Sequence, residues 1–124
     1  MVREEYSVSL KSIVEEQDLT ILHAAKDFDT ARVATADINR PALQLAGFYD
    51  YFDPKRLQLI GRVECTYLES LDPEQRREAL ERFMRFDLCA IILCHGIDTL
   101  PELTETARKY DRTLMCTNED TSTF

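Results

Sequence analysis

Glycine is scarce in this chain, and its scarcity argues against the common phosphate-binding loops. The three glycines are Gly47, Gly61 and Gly96, and no two lie close enough to form G-x-x-x-x-G-K-S/T or G-x-G-x-x-G. A G-x-S-x-G nucleophile elbow is also missing from the sequence. The sequence therefore predicts that this chain does not grip a triphosphate through loops of these kinds.

Long apolar runs are missing as well. The longest is "CAIILC", Cys89 to Cys94, which is far short of the roughly 20 residues that a membrane helix needs. The N-terminus carries Arg3, Glu4 and Glu5 and lacks the apolar segment of a secretory signal. We therefore expect no contact with a membrane and a cytoplasmic location.

The cysteines do not follow a metal-binding pattern. There are four, without a C-x-x-C pair, and the two histidines are too far apart for a zinc motif. Cys89 and Cys94 lie an odd number of residues apart on a predicted strand, which places their side chains on opposite faces. We expect reduced, buried thiols, no metal and no cofactor bound by this chain.

Basic residues are fewer than acidic ones. The net charge is −8, and the 15 basic residues form no block. Such a field repels a phosphate backbone, so we expect no nucleic-acid partner. The remaining composition, 44% hydrophobic and 31% charged, is typical of a globular protein, and residues 1–124 are predicted to form a single domain.

Periodicity and turn residues predict an alternation of helices and strands in the order α-β-β-α-β-α-β-α-β. Asp72 and Pro73 mark a helix start, and Thr99 is predicted to cap the last helix. The predicted helices cover 9–17, 42–46, 73–84 and 100–110, and the strands cover 19–25, 32–38, 56–64 (with a bulge at Gly61), 89–94 and 113–117. This order favours a three-layer α/β/α fold with a mixed, mostly parallel sheet of about five strands.

One stretch, "TADINRPALQLAGFYDYF" (Thr35 to Phe52), concentrates polar and aromatic groups in a connection. Asp37, Asn39 and Arg40 lie at a predicted strand end before a helix start. Arg40 can clamp an anion there with help from the helix amides. Alternatively, Asp37 or Asn39 caps the helix and Arg40 pairs with a nearby acid. The residues leave both interpretations open.

Further candidates lie nearby. His95 and Gly96 directly follow the central strand, where open parallel sheets bind ligands, whereas His23 in a strand-like segment suggests a core histidine. Gly47 is predicted to end the short helix in a left-handed cap. Behind it, Tyr49 and Asp50 belong to an aromatic and acidic cluster, Phe48 to Asp53, which suits a turn, an acid–base pair or a packing face toward another subunit.

The same stretch resembles the N-terminal domain of bacterial HPr kinase/phosphorylase. The family's recurring run is aspartate–isoleucine–serine or asparagine–arginine–proline, followed by leucine–alanine–glycine and an aromatic–aspartate–tyrosine, and residues 37–41, 45–47 and 50 fall on it. "AIILCHGIDTLPEL" (Ala90 to Leu103) also looks like the family's central strand, glycine turn and proline-led helix. The resemblance runs from about Val8 to the end. Ala42 and His95 depart from it, since glycine and arginine are usual there.

The resemblance implies an HPr kinase / Mur ligase N-terminal-domain-like fold. It implies that this chain is an accessory domain, inert alone, of an enzyme that phosphorylates a serine of the phosphocarrier protein HPr and removes that phosphate, in control of carbon catabolite repression. ATP and Mg²⁺ would bind a P-loop kinase domain absent from this chain. The kinase domain of the same polypeptide, HPr through that domain, and a hexameric assembly are the implied partners.

Kinship with Mur ligase N-terminal domains, which hold a uridine nucleotide at a comparable run, implies a second hypothesis. In it, the chain is a small-molecule sensor for a nucleotide or sugar phosphate at Asp37 to Arg40 and His95. A third hypothesis is an independent enzyme that uses Asp37 or His95.

Overall fold

The computed structural model describes residues 7–34, 38–50, 52–94 and 100–117. The strands are β1 (Ser7–Ser9), β2 (Thr20–His23), β3 (Arg32–Ala34), β4 (Ile38–Asn39), β5 (Leu57–Ile60), β6 (Ala90–Leu93) and β7 (Leu114–Cys116). The helices are α1 (Leu10–Gln17), α2 (Ala42–Leu45), α3 (Arg62–Ser70), α4 (Pro73–Met84) and α5 (Pro101–Lys109).

The main sheet has five strands in the order β2-β7-β6-β5-β4. The four strands from β4 to β7 are parallel, and β2 runs antiparallel to β7 at one edge. A separate two-stranded sheet joins β1 to β3. The prediction of a mixed, mostly parallel sheet of about five strands is confirmed.

The central strand β6 is buried on both faces, and its residues alternate between two hydrophobic clusters. Ile91 and Leu93 pack with residues of α2, α3, α4 and α5 on one face. Ala90 and Ile92 pack with α1 and the loop before β3 on the other. A continuous apolar run is the pattern expected for a parallel strand covered on both sides, so the three layers follow from the composition of β6.

Local signals set the helix ends correctly in two places. The Asp72 side chain accepts the backbone N–H of Gln75 at 2.8 Å, and Pro73 occupies the first turn of α4. At the end of α2, Gly47 has φ of 103°, and the Phe48 N–H donates to the Leu43 carbonyl at 2.9 Å. This is a Schellman ending, which favours glycine because its backbone is left-handed.

Other predicted bounds were wrong. The strand predicted over 32–38 is two strands in different sheets, β3 and β4. The strand predicted over 56–64 ends at Ile60, and Gly61 is the N-cap residue of α3 rather than a bulge, because its N–H donates to the Glu64 carboxylate at 2.9 Å. The sequence analysis missed α3 and β1 altogether.

Two smaller expectations also need correction. The N-cap residue of α5 is Leu100, whereas Thr99 lies outside the described residues. Cys89 and Cys94 both pack with the same hydrophobic cluster. Cys94 keeps the alternation of Ala90 and Ile92, whereas Cys89 precedes the first residue of β6 and does not follow it. Within the described part of the chain, no helix is long and apolar enough to cross a membrane.

Candidate ligand site at the carboxyl edge of the sheet

Parallel pairing brings the ends of β4, β5 and β6 to one edge of the sheet. Asn39 ends β4 and Arg40 follows it, Gly61 follows β5, and Cys94 follows β6. Of the residues predicted for this edge, Asp37, His95 and Gly96 lie outside the described residues, and their roles stay predictions.

Side-chain amides form a hydrogen-bond network next to this edge of the sheet. Asn39 and Gln58 are register partners across β4 and β5, and the Asn39 amide donates to the Gln58 side-chain oxygen at 2.8 Å. It also donates to Gln44 of α2 at 3.1 Å. Gln58 is fully buried, so these bonds satisfy a polar group that is costly to leave unpaired. Asn39 therefore pairs β4 with β5 and does not cap α2.

Arg40 forms a two-pronged ion pair with Glu64 of α3. Its Nη2 donates to Glu64 Oε1 at 2.7 Å and its Nε donates to Oε2 at 3.0 Å. Glu64 is 1% exposed, while the Arg40 side chain is 40% exposed. The nearby acid that the second interpretation expected is therefore Glu64, which also accepts the Gly61 N–H at the start of α3, the glutamate half of a capping box.

Arg40 stays charged in this pair, and part of its guanidinium is available to a ligand. The hydrogen bond to Glu64 raises the pKa of Arg40, against the opposing effect of burial. Both carboxylate oxygens of Glu64 are engaged by the guanidinium, but Nη1 of Arg40 makes no hydrogen bond to the described residues. An incoming anion would therefore share Arg40 with Glu64, which weakens the site relative to an unpaired arginine.

The thiol beside this pair is not poised for nucleophilic chemistry. Burial, with smaller contributions from the charges of Glu69 and Glu64, raises the pKa of Cys65 to about 11. A thiol with such a pKa is protonated near neutral pH and is a weak nucleophile.

No group of three or more metal-ligating side chains occurs in the part of the chain that the structure describes.

The other predicted candidates face a different helix. Tyr49 stacks on Phe86, just beyond α4, with ring centroids 4.7 Å apart, and meets Phe52 edge-on at 5.7 Å. Gly47 lies against Arg82 of α4, and Asp50 is exposed. Arg40 contacts α3 and Tyr49 packs beside α4, so the structure does not join these predicted residues into one site.

His23 is half-buried rather than part of the core. Its Nε2 lies 3.0 Å from Asp111 Oδ1, which ties β2 to the loop before β7. At the opposite, amino edge of the main sheet, a cavity of about 120 Å³ is lined by residues that include Lys55, Asp87 and Cys89. Sequence reasoning identified neither feature, because each joins segments that are distant along the chain.

Sequence reasoning also missed Glu64 and Gln44 as members of the carboxyl edge. The signal for Glu64 was present, since a glutamate three residues after a cap position is the capping-box pattern. Gln44 had no such signal, because its hydrogen bond is to the side chain of Asn39 in strand β4 and not to a residue of its own helix.

Known proteins resemble almost the whole chain. Residues 8–124 match the family described as HPr Serine kinase N terminus. The HPr kinase/phosphorylase of Alkaliphilus metalliredigens is 36% identical over 116 residues, which cover 94% of this chain and 37% of that protein. That of Clostridium acetobutylicum is 37% identical over 117 residues, covering 94% and 38%. The chain thus spans less than two fifths of the length of these curated relatives.

A solved structure shares the fold at low sequence identity. It contains the CBS and DRTGG domains of the regulatory region of Clostridium perfringens pyrophosphatase, complexed with the activator diadenosine tetraphosphate. The TM-score is 0.62 at 16% identity, over 93% of this chain and 43% of that one. This likeness supports the α/β architecture.

Proposed function

This chain belongs to the HPr Serine kinase N-terminal family, and from that membership we propose that it is the accessory domain of an HPr kinase/phosphorylase. In this proposal it regulates or assembles the enzyme and does not catalyse phosphate transfer by itself. The kinase domain of the same polypeptide binds ATP and Mg²⁺ and acts on HPr in the control of carbon catabolite repression. A hexamer is the proposed assembly.

The observation that carries the proposal is the extent of the family match. It covers residues 8–124 of this chain, while the chain covers only 37% and 38% of two relatives named HPr kinase/phosphorylase. The matched part has no glycine-lysine phosphate loop in its sequence. The pKa of the Cys65 thiol beside the carboxyl edge is raised, which makes this thiol a weak nucleophile near neutral pH. Support or regulation of a separate catalytic module fits these features.

The test compares three proteins: this chain alone, the kinase domain of a relative alone, and the two joined as one polypeptide. With HPr, ATP and Mg²⁺, we expect no phosphoserine from the chain alone. The joined protein should differ from the kinase domain alone in its ratio of kinase to phosphorylase rate or in its mass by light scattering. Phosphate transfer by the chain alone, or identical rates and mass with and without it, would contradict the proposal.

A second candidate function is a sensor for a phosphorylated metabolite at the carboxyl edge. It is favoured by Nη1 of Arg40, which makes no hydrogen bond to the described residues and lies at the edge where parallel sheets bind ligands. In this proposal Asp37, His95 and Gly96 complete the site around Arg40, and Asn39 supports it by holding β4 against β5 through Gln58. Glu64 then acts as the internal competitor that a bound phosphate displaces from part of the guanidinium.

Calorimetry on this chain tests the sensor with nucleotides and sugar phosphates, including diadenosine tetraphosphate, the activator named for the structural neighbour. We expect a ligand to give binding heat with the wild type and at least about tenfold weaker binding with Arg40→Ala, since one charged hydrogen bond is worth that much. Arg56→Ala, before β5 at the opposite edge, is the matched control. No heat across the panel would remove the sensor.

A further inference from the structure

The hydroxyl of Tyr49 is the one buried side-chain polar atom without a hydrogen-bond partner among the residues that the structure describes. Its ring is held firmly, stacked on Phe86 at 4.7 Å and edge-on to Phe52 at 5.7 Å. Burial also raises the pKa of Tyr49, so the hydroxyl keeps its proton near neutral pH and is a hydrogen-bond donor. A buried donor without an acceptor destabilises a fold, and its retention calls for an explanation.

Arg82 supplies a second donor group at the same place. Its Nη1 lies 3.2 Å from the position that a Cβ on Gly47 would take, and its positive charge acts on Tyr49. Arg82 is exposed on the last turn of α4 and has neither a hydrogen bond nor an ion pair with the rest of the described chain. The Arg82 guanidinium thus lies beside Gly47, two residues before Tyr49, and neither it nor the Tyr49 hydroxyl has an acceptor among the described residues.

The neighbouring Arg85 belongs to an arginine–tyrosine pair whose hydrogen bonds are made within the chain. Arg85 Nε donates to the hydroxyl of Tyr110 at 3.4 Å, and Arg85 Nη2 lies 3.9 Å from Glu81 Oε1. Arg82, one turn earlier on its side of α4, has no such acid within the described residues. The contrast indicates that the place beside Arg82 is left for an acceptor from outside.

We propose that Gly47, Tyr49 and Arg82 form a binding site for a small oxyanion, a phosphate or carboxylate group, which accepts hydrogen bonds from the Tyr49 hydroxyl and the Arg82 guanidinium. An anion fits this pair because its oxygens accept from both groups and its charge is opposite to that of Arg82, whereas a cation would be repelled. Gly47 matters because a side chain there would meet the guanidinium. The site goes beyond the proposed function and does not involve Arg40, which pairs with α3.

Access to the buried hydroxyl runs past Arg82. The Tyr49 oxygen has no solvent exposure in this arrangement, but the arginine beside it is held by no bond to the described residues and its long side chain is free to change rotamer. The anion enters as the guanidinium swings outward and then closes over it. With a net charge of −8 on the whole chain, the long-range field opposes an anion, so binding depends on the local hydrogen bonds, and salt screens both the repulsion and the attraction to Arg82.

The experiment titrates this chain with inorganic phosphate, and in parallel with acetate, at constant ionic strength set by chloride. Chemical shifts of the Gly47 amide and the Arg82 Nε–H report the binding. We expect saturable shifts with the wild type and about tenfold weaker affinity in both Tyr49→Phe and Arg82→Gln, since each removes one hydrogen bond to a charged group. Tyr110→Phe and Arg85→Gln, from the satisfied pair, should bind as the wild type does.

A stability measurement without phosphate separates this site from a structural role. Tyr49→Phe keeps the stacked ring and removes an unpaired hydroxyl, so its melting temperature should rise by about 4 °C, whereas Tyr110→Phe should not gain stability. A variant that is more stable yet binds phosphate less well is the signature of a binding residue. The proposal is overturned if the wild type binds neither anion, if Tyr49→Phe and Arg82→Gln bind both anions unchanged, or if Tyr49→Phe is less stable than the wild type.

Discussion

Asp111 is a single residue that joins two loops through its carboxylate. Its φ of 56° is left-handed, a conformation that aspartate and asparagine tolerate better than most residues. Oδ2 accepts the Lys26 N–H at 3.0 Å, and Oδ1 lies 3.0 Å from His23 Nε2. The bond from the Lys26 backbone lowers the pKa of Asp111, with a further contribution from His23. The charged carboxylate is thus bound more favourably in the folded state than in the unfolded chain.

The lowered pKa predicts how stability depends on pH. Because the folded-state pKa lies below the unfolded value of about 3.9, the contribution of Asp111 is fully present above that pH and is lost as the pH falls through the folded-state pKa. Asp111→Asn keeps a residue that suits the left-handed backbone but removes the charge. Urea unfolding should show a deficit for Asp111→Asn at about pH 5 that shrinks as the pH falls below about 4. A deficit that is equal at every pH would contradict the assignment.

At the scale of elements, Arg76 holds three helices together. From α4, its Nε donates to the Leu68 carbonyl of α3 at 2.9 Å and its Nη2 donates to the Leu71 carbonyl, just after α3, at 3.0 Å. Its Nη1 lies 3.4 Å from the carboxylate of Glu102 in α5. The last carbonyls of a helix have no partner inside the helix, so Arg76 completes α3 while it fixes the α3–α4 and α4–α5 contacts.

We therefore expect Arg76→Ala to lower the free energy of unfolding by about 2–3 kcal/mol, because the Leu71 carbonyl and the largely buried Glu102 lose their partner and the Leu68 carbonyl loses one of its two donors. The adjacent Arg77 is the matched control. Among the described residues it pairs only with Glu105, and both side chains are about half exposed, so Arg77→Ala should change stability by less than about 0.5 kcal/mol. Equal losses in chemical denaturation would show that the carbonyl contacts of Arg76 do not matter.

At the scale of the whole molecule, the main sheet separates two hydrophobic clusters that meet at β6. Ile91 is fully buried in one and Ile92 is 1% exposed in the other. Neither face of the central strand is open to solvent, which makes both sides of the sheet necessary for stability.

This two-sided burial predicts that Ile91→Ala and Ile92→Ala are about equally damaging. Each should lower the free energy of unfolding by about 2–5 kcal/mol, the usual range for a fully buried isoleucine. Ile21 of the edge strand β2 is 40% exposed, and Ile21→Ala should cost less than about 1 kcal/mol. If thermal or urea unfolding found one β6 variant as mild as Ile21→Ala, one of the two covering layers would be in doubt.

Prediction from the sequence succeeded where the signal was local. Asp72 and Pro73 act within one turn, so the start of α4 was placed correctly. It failed at α3, where Val63 is exposed and Cys65 and Leu68 give only a short apolar stripe, so that Leu57, Leu59 and Ile60 dominated the pattern. Of the predicted site residues, Asn39 and Arg40 reach the carboxyl edge, Gly47, Tyr49 and Asp50 lie near α4, and Asp37, His95 and Gly96 remain predictions.

The chain's own sequence determined the layered α/β order, the buried central strand and the family, because caps, prolines and apolar runs act on their immediate neighbours. Tertiary structure alone decided which groups are paired. Arg40 and Glu64 are 24 residues apart, and they meet because the parallel pairing of β4 with β5 brings the strand end of one beside the helix start after the other. The unpaired hydroxyl of Tyr49 has the same origin, since its burial comes from α4 and Phe86 rather than from the residues next to it.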